Sequence, residues 1–429
     1  MRLTDTLTGE LVELPTAPAK IGMYVCGPTV YQRAHIGNAR PYVVFTWLAR
    51  WLRERGYDVT FVHNITDVND KIYDAAPGHS AEKAVEATEW YLEDTDGFGL
   101  GRPDELPLAT ETIPEIVALI EELVVSGHAY EADGDVYFRV ASFAEYGRLS
   151  GQRPEQVEEQ EPNPRKDDPR DFALWKANKP GEDTWWESPW GRGRPGWHIE
   201  CSAMAEKFLG PEFWIHGGGI DLVFPHHENE RAQSQAVGRP FARVWMHNGM
   251  LRFTGEKMSK SLGNVATIQD VLGEWGKEAA LLFFLTAHWR KPIDFSEETV
   301  AAARTQAQAF REAFRTAPVV PLGEVGAPWS EFERALDDDF NTPEALAILH
   351  SWRARGLVEP LRRGLALFGL DSLADVTYTP PDAVVDLAKA RERARADRDY
   401  EAADRLRAAI EAEGWTVRDT EQGFDLIPA

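Results

Sequence analysis

"KIGMYVCGPTVYQRAHIGNARP", residues 20–41, decides how this chain reads. Its first part, "IGMYVCG", is a short apolar run of β-branched and aromatic residues that breaks at Gly27-Pro28, the pattern of a strand entering a turn. Beyond it, "ARPYVVFTWLARWLRERGY" repeats apolar residues at helical spacing and stops at Gly56. "DVTFVHNITD" returns to strand character. Strand, helix, strand predicts a parallel βαβ unit, and ligands of such sheets gather at the strand C-termini. Cys26 and the run Asn64–Asp67 are therefore expected at one edge.

Working outward, the composition is that of an ordinary globular chain: 43% hydrophobic and 27% charged over 429 residues. That length predicts more than one domain. No run approaches the ~20 apolar residues of a membrane span, and the N-terminal sequence lacks a basic-then-apolar leader pattern. A cytoplasmic location is the expectation. The net charge of −24 weighs against a polyanionic partner as a sum, but the positions of Lys and Arg matter more than their total. There are two cysteines, Cys26 and Cys201. A disulfide between them is disfavoured in a reducing compartment, and by themselves they read as buried thiols packing as small hydrophobes.

Residues 80 to about 190 read as an insertion. Two helical runs, "SAEKAVEATEWYLEDTDGFG" and "IPEIVALIEELVVSG", precede a hairpin-like "HAYEADGDVYFRV" and a polar, mobile loop, "RPEQVEEQEPNPRKDDPRD". Sheet character returns at "FWIHGGGIDLVFP" and "VWMHNGMLRF". From about 266 the pattern is mostly helical, ending in an Arg- and Ala-rich helix pair and a β-hairpin, "WTVRDTEQGFDLI".

Two short motifs carry phosphate chemistry. In "HIGN", residues 35–38, the helix begins near Gly37, where free N–H groups and the helix dipole favour an anion and His35 can stabilise charge. Taken alone it is a weak signal. "KMSKS", residues 257–261, sets Lys257 and Lys260 among small hydroxyl residues, a clamp for a polyphosphate; alone it also fits a solvated basic loop. Together and in this order they resemble the two signatures of class I aminoacyl-tRNA synthetases. A third constellation is scattered: Cys26, Cys201 in "GWHIECSAMA", and His226 and Glu230 in "FPHHENERAQS", the last two sharing a helix face. These are plausible metal ligands of mixed softness, but spacing alone does not select them. His227 and Glu228 qualify equally by composition, with a solvated helix face as their alternative.

The selection comes from resemblance. "MYVCGPTVYQRAHIGNARP", "NITDVNDKI", "GWHIECSAMA", "IHGGGIDLVFPHHENERAQS", "WMHNGM" and "EKMSKSLGN" resemble the cysteinyl-tRNA synthetase family from about residue 4 to the C-terminus. The resemblance implies a Rossmann-like α/β parallel-sheet catalytic domain in two halves, 1–80 and 190–265, split by a connective insertion, 81–189. It implies a stem-contact region, 266–325, with the KMSKS loop at its start, then a shortened helical tRNA-binding domain, 326–380, and a terminal helix pair and hairpin, 381–429. It further implies one Zn²⁺ on Cys26, Cys201, His226 and Glu230, selecting cysteine from serine through its thiolate. Gly27, Thr29, Asn64, Thr66 and Trp197 would surround cysteine and adenylate. His216 with Gly218, Gly219 and Asp221 would border the nucleoside, and His35, Gly37, Asn38, Lys257 and Lys260 would meet ATP with Mg²⁺. The implied partners are L-cysteine, ATP and tRNA-Cys, and the implied working form is a monomer.

Arg391, Arg393, Arg395, Arg398, Arg405 and Arg407 could supply the positive charge that the total conceals; Arg/Glu pairing on a solvated helix is the alternative. Two departures stand out: Asn69 lies where the family usually carries Asp, and the stretch between Trp352 and Pro381 is abbreviated. That abbreviation keeps a relative in play, a mycothiol-pathway ligase that joins cysteine to a glucosaminyl-inositol. "AHIGNARP" and the retained Arg-rich terminus favour the synthetase.

Overall fold

The computed structural model describes residues 1–152, 162–253, 266–316, 326–375, 380–420 and 423–428. A small antiparallel hairpin, β1 (Arg2–Thr4) and β2 (Leu11–Glu13), opens the chain. Then come β3 (Lys20–Val25), α1 (Ile36–Glu54) and β4 (Asp58–His63), the βαβ unit that the opening stretch predicts. Between β4 and the next strand of the central sheet come α2 (Asp70–Ala75), α3 (Ser80–Asp96) and α4 (Ile113–Val125), followed by β5 (Ala129–Ala132), β6 (Asp135–Phe138), β7 (Phe172–Ala177) and β8 (Gly193–Pro195), so this region begins and ends a little outside the 81–189 assigned to the insertion. The chain returns through α5 (Trp197–Leu209), β9 (Glu212–Gly219), α6 (Glu228–Ala236) and β10 (Phe241–Asn248).

The central sheet runs β10-β9-β3-β4, parallel throughout. Alternation along β3 explains how it is covered. Ile21, Met23 and Val25 face α1, against Val43, Phe45 and Leu48, while Tyr24 points to the other face and packs with Cys26, Cys201, Met204 and Phe213. Both faces are apolar because both are buried under helices. One consequence positions the site: the face that carries Tyr24 is roofed by α5, so Cys201 comes down onto Cys26. All four strands end at the same edge, at Val25, His63, Gly219 and Asn248.

The insertion's hairpin turns at Asp133-Gly134, both with positive φ, as a two-residue hairpin turn requires. It extends to a four-stranded antiparallel sheet, β5-β6-β7-β8. The strand at Phe172–Ala177 escapes the sequence reading because its pairing is non-local. It is registered by the buried Asp171, whose carboxylate accepts from Val140 N and Tyr130 OH, both at 2.9 Å. Part of the polar loop, 153–161, lies outside the described residues.

After β11 (Leu251–Phe253) the described residues are mostly helical, and one strand among them escapes the sequence reading. β12 (Ile293–Phe295) pairs in parallel with β11, a contact that local periodicity cannot announce. The helix Ile268–Trp275 starts with a reciprocal cap between Thr267 and Asp270. The helices Gly326–Asp337, Thr342–Ala354 and Val358–Leu367 share one apolar core with α1 through Trp329, Trp352, Leu365 and Phe368. A helix pair, Asp382–Ala396 and Tyr400–Ala412, and the antiparallel hairpin β13 (Trp415–Thr420) and β14 (Gly423–Pro428) close the chain. No helix among the described residues is long and apolar enough to cross a membrane.

Candidate active site

The site begins where two strand-end loops are stitched together. Gly27 N donates to Asn64 Oδ1 (2.9 Å), Asn64 Nδ2 donates to Thr66 Oγ1 (3.3 Å), and Thr66 N donates to Pro28 O (3.0 Å). Thr29 and Thr66 pair across the seam. The fit depends on glycine: a Cβ on Gly27 would stand 1.7 Å from the Asn64 carbonyl oxygen. A Gly27→Ala chain is therefore expected to lose about 2–3 kcal/mol of stability, read as a lowered Tm in a thermal scan.

Behind this seam lies a buried cluster. Cys26, Cys201, His226 and Glu230 bring one donor atom each to within 4.8 Å of one another, as do Cys26, His216, His227 and Glu230. Glu230 Oε1 is 3.4 Å from Cys26 Sγ and 3.3 Å from His226 Nε2. His216 Nε2 lies 3.7 Å from Cys26 Sγ and 3.2 Å from Glu230 Oε2. All six residues are buried. His226 precedes the regular part of α6, in a widened turn kinked at Phe224, yet still meets Glu230 four residues on.

Burial dominates the titration of the cluster. Burial, with Cys201 and Glu230 close by, pushes the Cys26 thiol up, and burial pushes Cys201 up. Burial holds His226 and His227 well below the usual imidazole range. Neutral imidazoles are competent ligands, and a dication at the centre reverses the preference of the thiols. His227 Nε2 and His216 Nδ1 are buried without a hydrogen-bond partner among the described residues, a costly arrangement unless something accepts those lone pairs. Sulfur, nitrogen and oxygen donors in one enclosed set suit a borderline-soft divalent ion.

His227 and Glu228 are not on a solvated face. His227 Nδ1 is 2.7 Å from His247 Nε2, and His247 Nδ1 is 2.8 Å from Thr6 Oγ1. Glu228 accepts from Ser150 N (2.9 Å) and Ser150 Oγ (3.0 Å). This face turns inward because His227 packs against His216 and Trp245 and Glu228 against Ser150 and Arg231. His216, His227 and His247 thus form a buried imidazole layer at the ligands, flanked by the half-buried His198, whose Nδ1 lies 2.9 Å from His226 Nδ1.

The cluster opens on a cleft of about 360 Å³ at the strand C-termini. Cys26, Gly27 and Thr29 form one end and Trp197 a side; the Trp197 ring stacks on His226 at 4.2 Å. His35, Gly37 and Asn38 at the start of α1 line the other end, with Gly219 and Asp221 opposite. His35 is the residue before the helix, no side chain caps that helix, and burial lowers its pKa despite the nearby Asp221. Four residues expected around the substrates sit off the cleft wall: His216 lies against the ligand cluster, Gly218 under His227 and Leu222, and Asn64 and Thr66 are buried in the seam behind Gly27 and Thr29. Asn69 caps α2 by accepting from Lys71 N (3.2 Å). Lys257 and Lys260 lie outside the described residues. The flanks of their segment meet the cleft, through Phe253 on its wall and through Ala266, whose carbonyl accepts from Ile36 N (3.0 Å).

Among the cleft residues that the sequence reading passed over are Lys71, His63 and Tyr91. His63 Nδ1 is 3.0 Å from Val25 O and its Nε2 is 2.7 Å from Tyr91 OH. With its pKa lowered to about 4 by burial, His63 is neutral and accepts from the tyrosine. Its position at the end of β4, just before Asn64, was the available signal.

At the C-terminus, Arg391 is buried and, with Arg395, binds Asp419 of the terminal hairpin, while Arg405 and Arg407 pair with Glu401 and Glu411 on their own helix. Arg405 and Arg407 pair as the solvated-helix alternative has it, whereas Arg391 and Arg395 pair across to the hairpin; Arg393 and Arg398 are exposed.

Comparison with known proteins agrees with this geometry. Residues 13–305 match the family model for the tRNA synthetases class I (C) catalytic domain, and residues 331–353 match the DALR domain. The cysteine–tRNA ligase of Methylobacillus flagellatus is 45% identical over 438 residues, covering 95% of each chain. That of Pelotomaculum thermopropionicum is 41% identical over 482 residues, covering 99% of each. Among solved structures, Mycobacterium tuberculosis methionyl-tRNA synthetase with methionyl-adenylate superposes with a TM-score of 0.58 at 15% identity, over 82% of this chain and 90% of that one. This likeness shows the shared fold. With the parallel sheet, the cleft at its strand ends and relatives of this identity over nearly the whole length, the chain belongs to the cysteine–tRNA ligase family of class I aminoacyl-tRNA synthetases.

Proposed function

We propose that this chain joins L-cysteine to ATP, giving cysteinyl-AMP and pyrophosphate, and passes the cysteinyl group to tRNA-Cys, with one zinc ion held by Cys26, Cys201, His226 and Glu230. The observation that carries this reading is that Cys26 belongs to two constellations at once: it is a member of the buried donor cluster and it lines the cleft that ends at His35 and Asn38. When bound, the zinc supplies a borderline-soft Lewis acid that favours a thiolate over the hydroxyl of serine, a distinction that pocket shape alone makes weakly.

In this reading Gly27, Thr29, Asn64, Thr66 and Trp197 hold the amino acid and adenylate. Gly218, Gly219 and Asp221 border the nucleoside. His35, Asn38, Lys257 and Lys260 meet the triphosphate with Mg²⁺, and Gly37 lets the phosphates approach the start of α1. The cysteine carboxylate attacks the α-phosphorus in line and pyrophosphate leaves, so catalysis consists of positioning and of stabilising the departing charge. The ribose hydroxyl at the tRNA 3′ end then attacks the adenylate carbonyl and AMP leaves. The catalytic halves, insertion, stem-contact region and helical tRNA-binding part take the boundaries assigned from the sequence, and the enzyme works as a cytoplasmic monomer.

Transfer to a glucosaminyl-inositol is not favoured, because the relatives at 41–45% identity are cysteine–tRNA ligases over nearly their full length and the helical region matches the DALR domain. Aminoacylation of tRNA-Cys with cysteine against serine, with metal content measured on the same sample, tests the proposal. Charging with cysteine, none with serine and about one zinc per chain are expected. Transfer to the sugar and not to tRNA would overturn it.

A further inference from the structure

Arg40 is a large buried cation beside the cleft, with no carboxylate partner among the described residues. It is 1% exposed, and its guanidinium is spent on four backbone carbonyls. One nitrogen donates to Gly249 O and, at 3.3 Å, to Met250 O; the other donates to His288 O (3.3 Å) and Lys291 O (2.7 Å). Gly249 and Met250 form the turn after β10 and line the cleft together with His35, Asn38 and Asp221. Two further bonds tie this turn to the same neighbour: Gly249 N donates to Trp289 O (2.8 Å) and Ile293 N donates to Met250 O (3.0 Å). The contact is tight enough that a Cβ on Gly249 would stand 2.4 Å from the Lys291 carbonyl.

The far side of the 288–291 turn is fastened to the helical region. Trp289 Nε1 donates to Asp339 O at 2.7 Å, and the Asp339 carboxylate accepts from Thr4 N and Thr4 Oγ1, each at 2.7 Å. Asp339 and Phe340 are consecutive non-glycine residues with φ of 57° and 49°, a backbone state that persists only where surrounding contacts hold it. They lead directly into the helix Thr342–Ala354, within the stretch that matches the DALR domain.

We infer that Arg40 is a positioning residue for ATP: it sets the height of the 249–250 wall of the cleft and makes that height depend on the seating of the helical region through Trp289 and Asp339. A cation fits this task because one planar group with five donors satisfies carbonyls from two segments at once, which an ammonium does less completely. The inference rests on the reading of the cleft as the ATP site.

The test compares Arg40→Met, Arg40→Lys and Trp289→Phe with the parent chain. The readouts are the Kd for ATP by calorimetry and the KM values for ATP and cysteine in cysteine-dependent pyrophosphate exchange. Arg40→Met is expected to weaken ATP by about 10-fold, as wall displacement does, with KM for cysteine within about twofold of the parent. Arg40→Lys recovers part of that loss. Trp289→Phe keeps an apolar ring but removes the bond to Asp339 together with part of a buried indole; it is expected to weaken ATP by about threefold from a position outside the cleft. If Arg40→Met does not fold, the Lys and Phe variants carry the test. Unchanged ATP affinity in both, or equal shifts in both KM values, overturns the inference. A parent chain that binds ATP without cysteine-dependent exchange would instead overturn the functional reading, and the ATP affinities would still decide the role of Arg40.

Discussion

A Cys201→Ser chain is expected to fold, to lose its zinc and to activate cysteine at least about 100-fold more slowly than the parent. Folding survives because the exchange is nearly isosteric in a packed environment of Tyr24, Met204 and Phe213. Metal affinity does not survive, because a serine hydroxyl keeps its proton where a thiol gives it up to the ion. Zinc per chain, Tm and cysteine-dependent pyrophosphate exchange on one preparation decide the matter. Metal content and activity should fall together while Tm moves by a few degrees. A zinc-free protein with full activity would sink the assignment. A full metal complement with lost activity would place the ion on the overlapping set, Cys26, His216, His227 and Glu230, which shares two donors with the first.

That prediction names residues whose grouping has no local signature. Cys26 and Glu230 are 204 positions apart and meet at 3.4 Å, because alternation along β3 turns Tyr24 and Cys26 toward α5 and the strand order brings β9 and α6 alongside. Periodicity disclosed β3, α1 and β4, since each is a run of consecutive residues obeying one spacing. The hairpins at 129–138 and 415–428 were legible for the same reason. β7 and β12 were not, because each exists through a distant partner, β6 and β11 respectively. The ligand set became legible only through resemblance across six segments.

The imidazole layer shows the same limit. His227 and Glu228 read as surface because their helix is polar in sequence: α6 is "ENERAQSQA". Only the fold reveals that Ser150, His247 and Glu145 stand opposite to pair with it. Charge follows this logic too. Arg391 and Arg395 look like a basic face until Asp419, on a hairpin that packs back across the helix, is placed beside them.

Replacing His35 with Ala is expected to lower kcat of cysteine-dependent exchange by about 10²–10³-fold, the range for removing one donor to a developing oxyanion, with little change in Tm. His35 stands immediately before α1, half-buried on the cleft wall, and its Nδ1 has no partner among the described residues. Burial lowers its pKa from the usual 6.5, and Asp221 only partly opposes this. The neutral imidazole is therefore the dominant form at pH 7 and above, and in the proposed reaction it would donate one N–H to the departing phosphate oxygens. The sign of the pH dependence follows. Because burial lowers the His35 pKa, its protonation falls at lower pH than that of an ordinary imidazole, and any limb due to His35 lies on the acid side. His35→Asn, which keeps a side-chain N–H donor, should recover part of the loss, whereas His35→Ala should also lose the acid limb. A kcat unchanged in the alanine variant, or a limb that persists without the imidazole, would remove His35 from the chemistry and leave it as a spacer at the mouth of the helix.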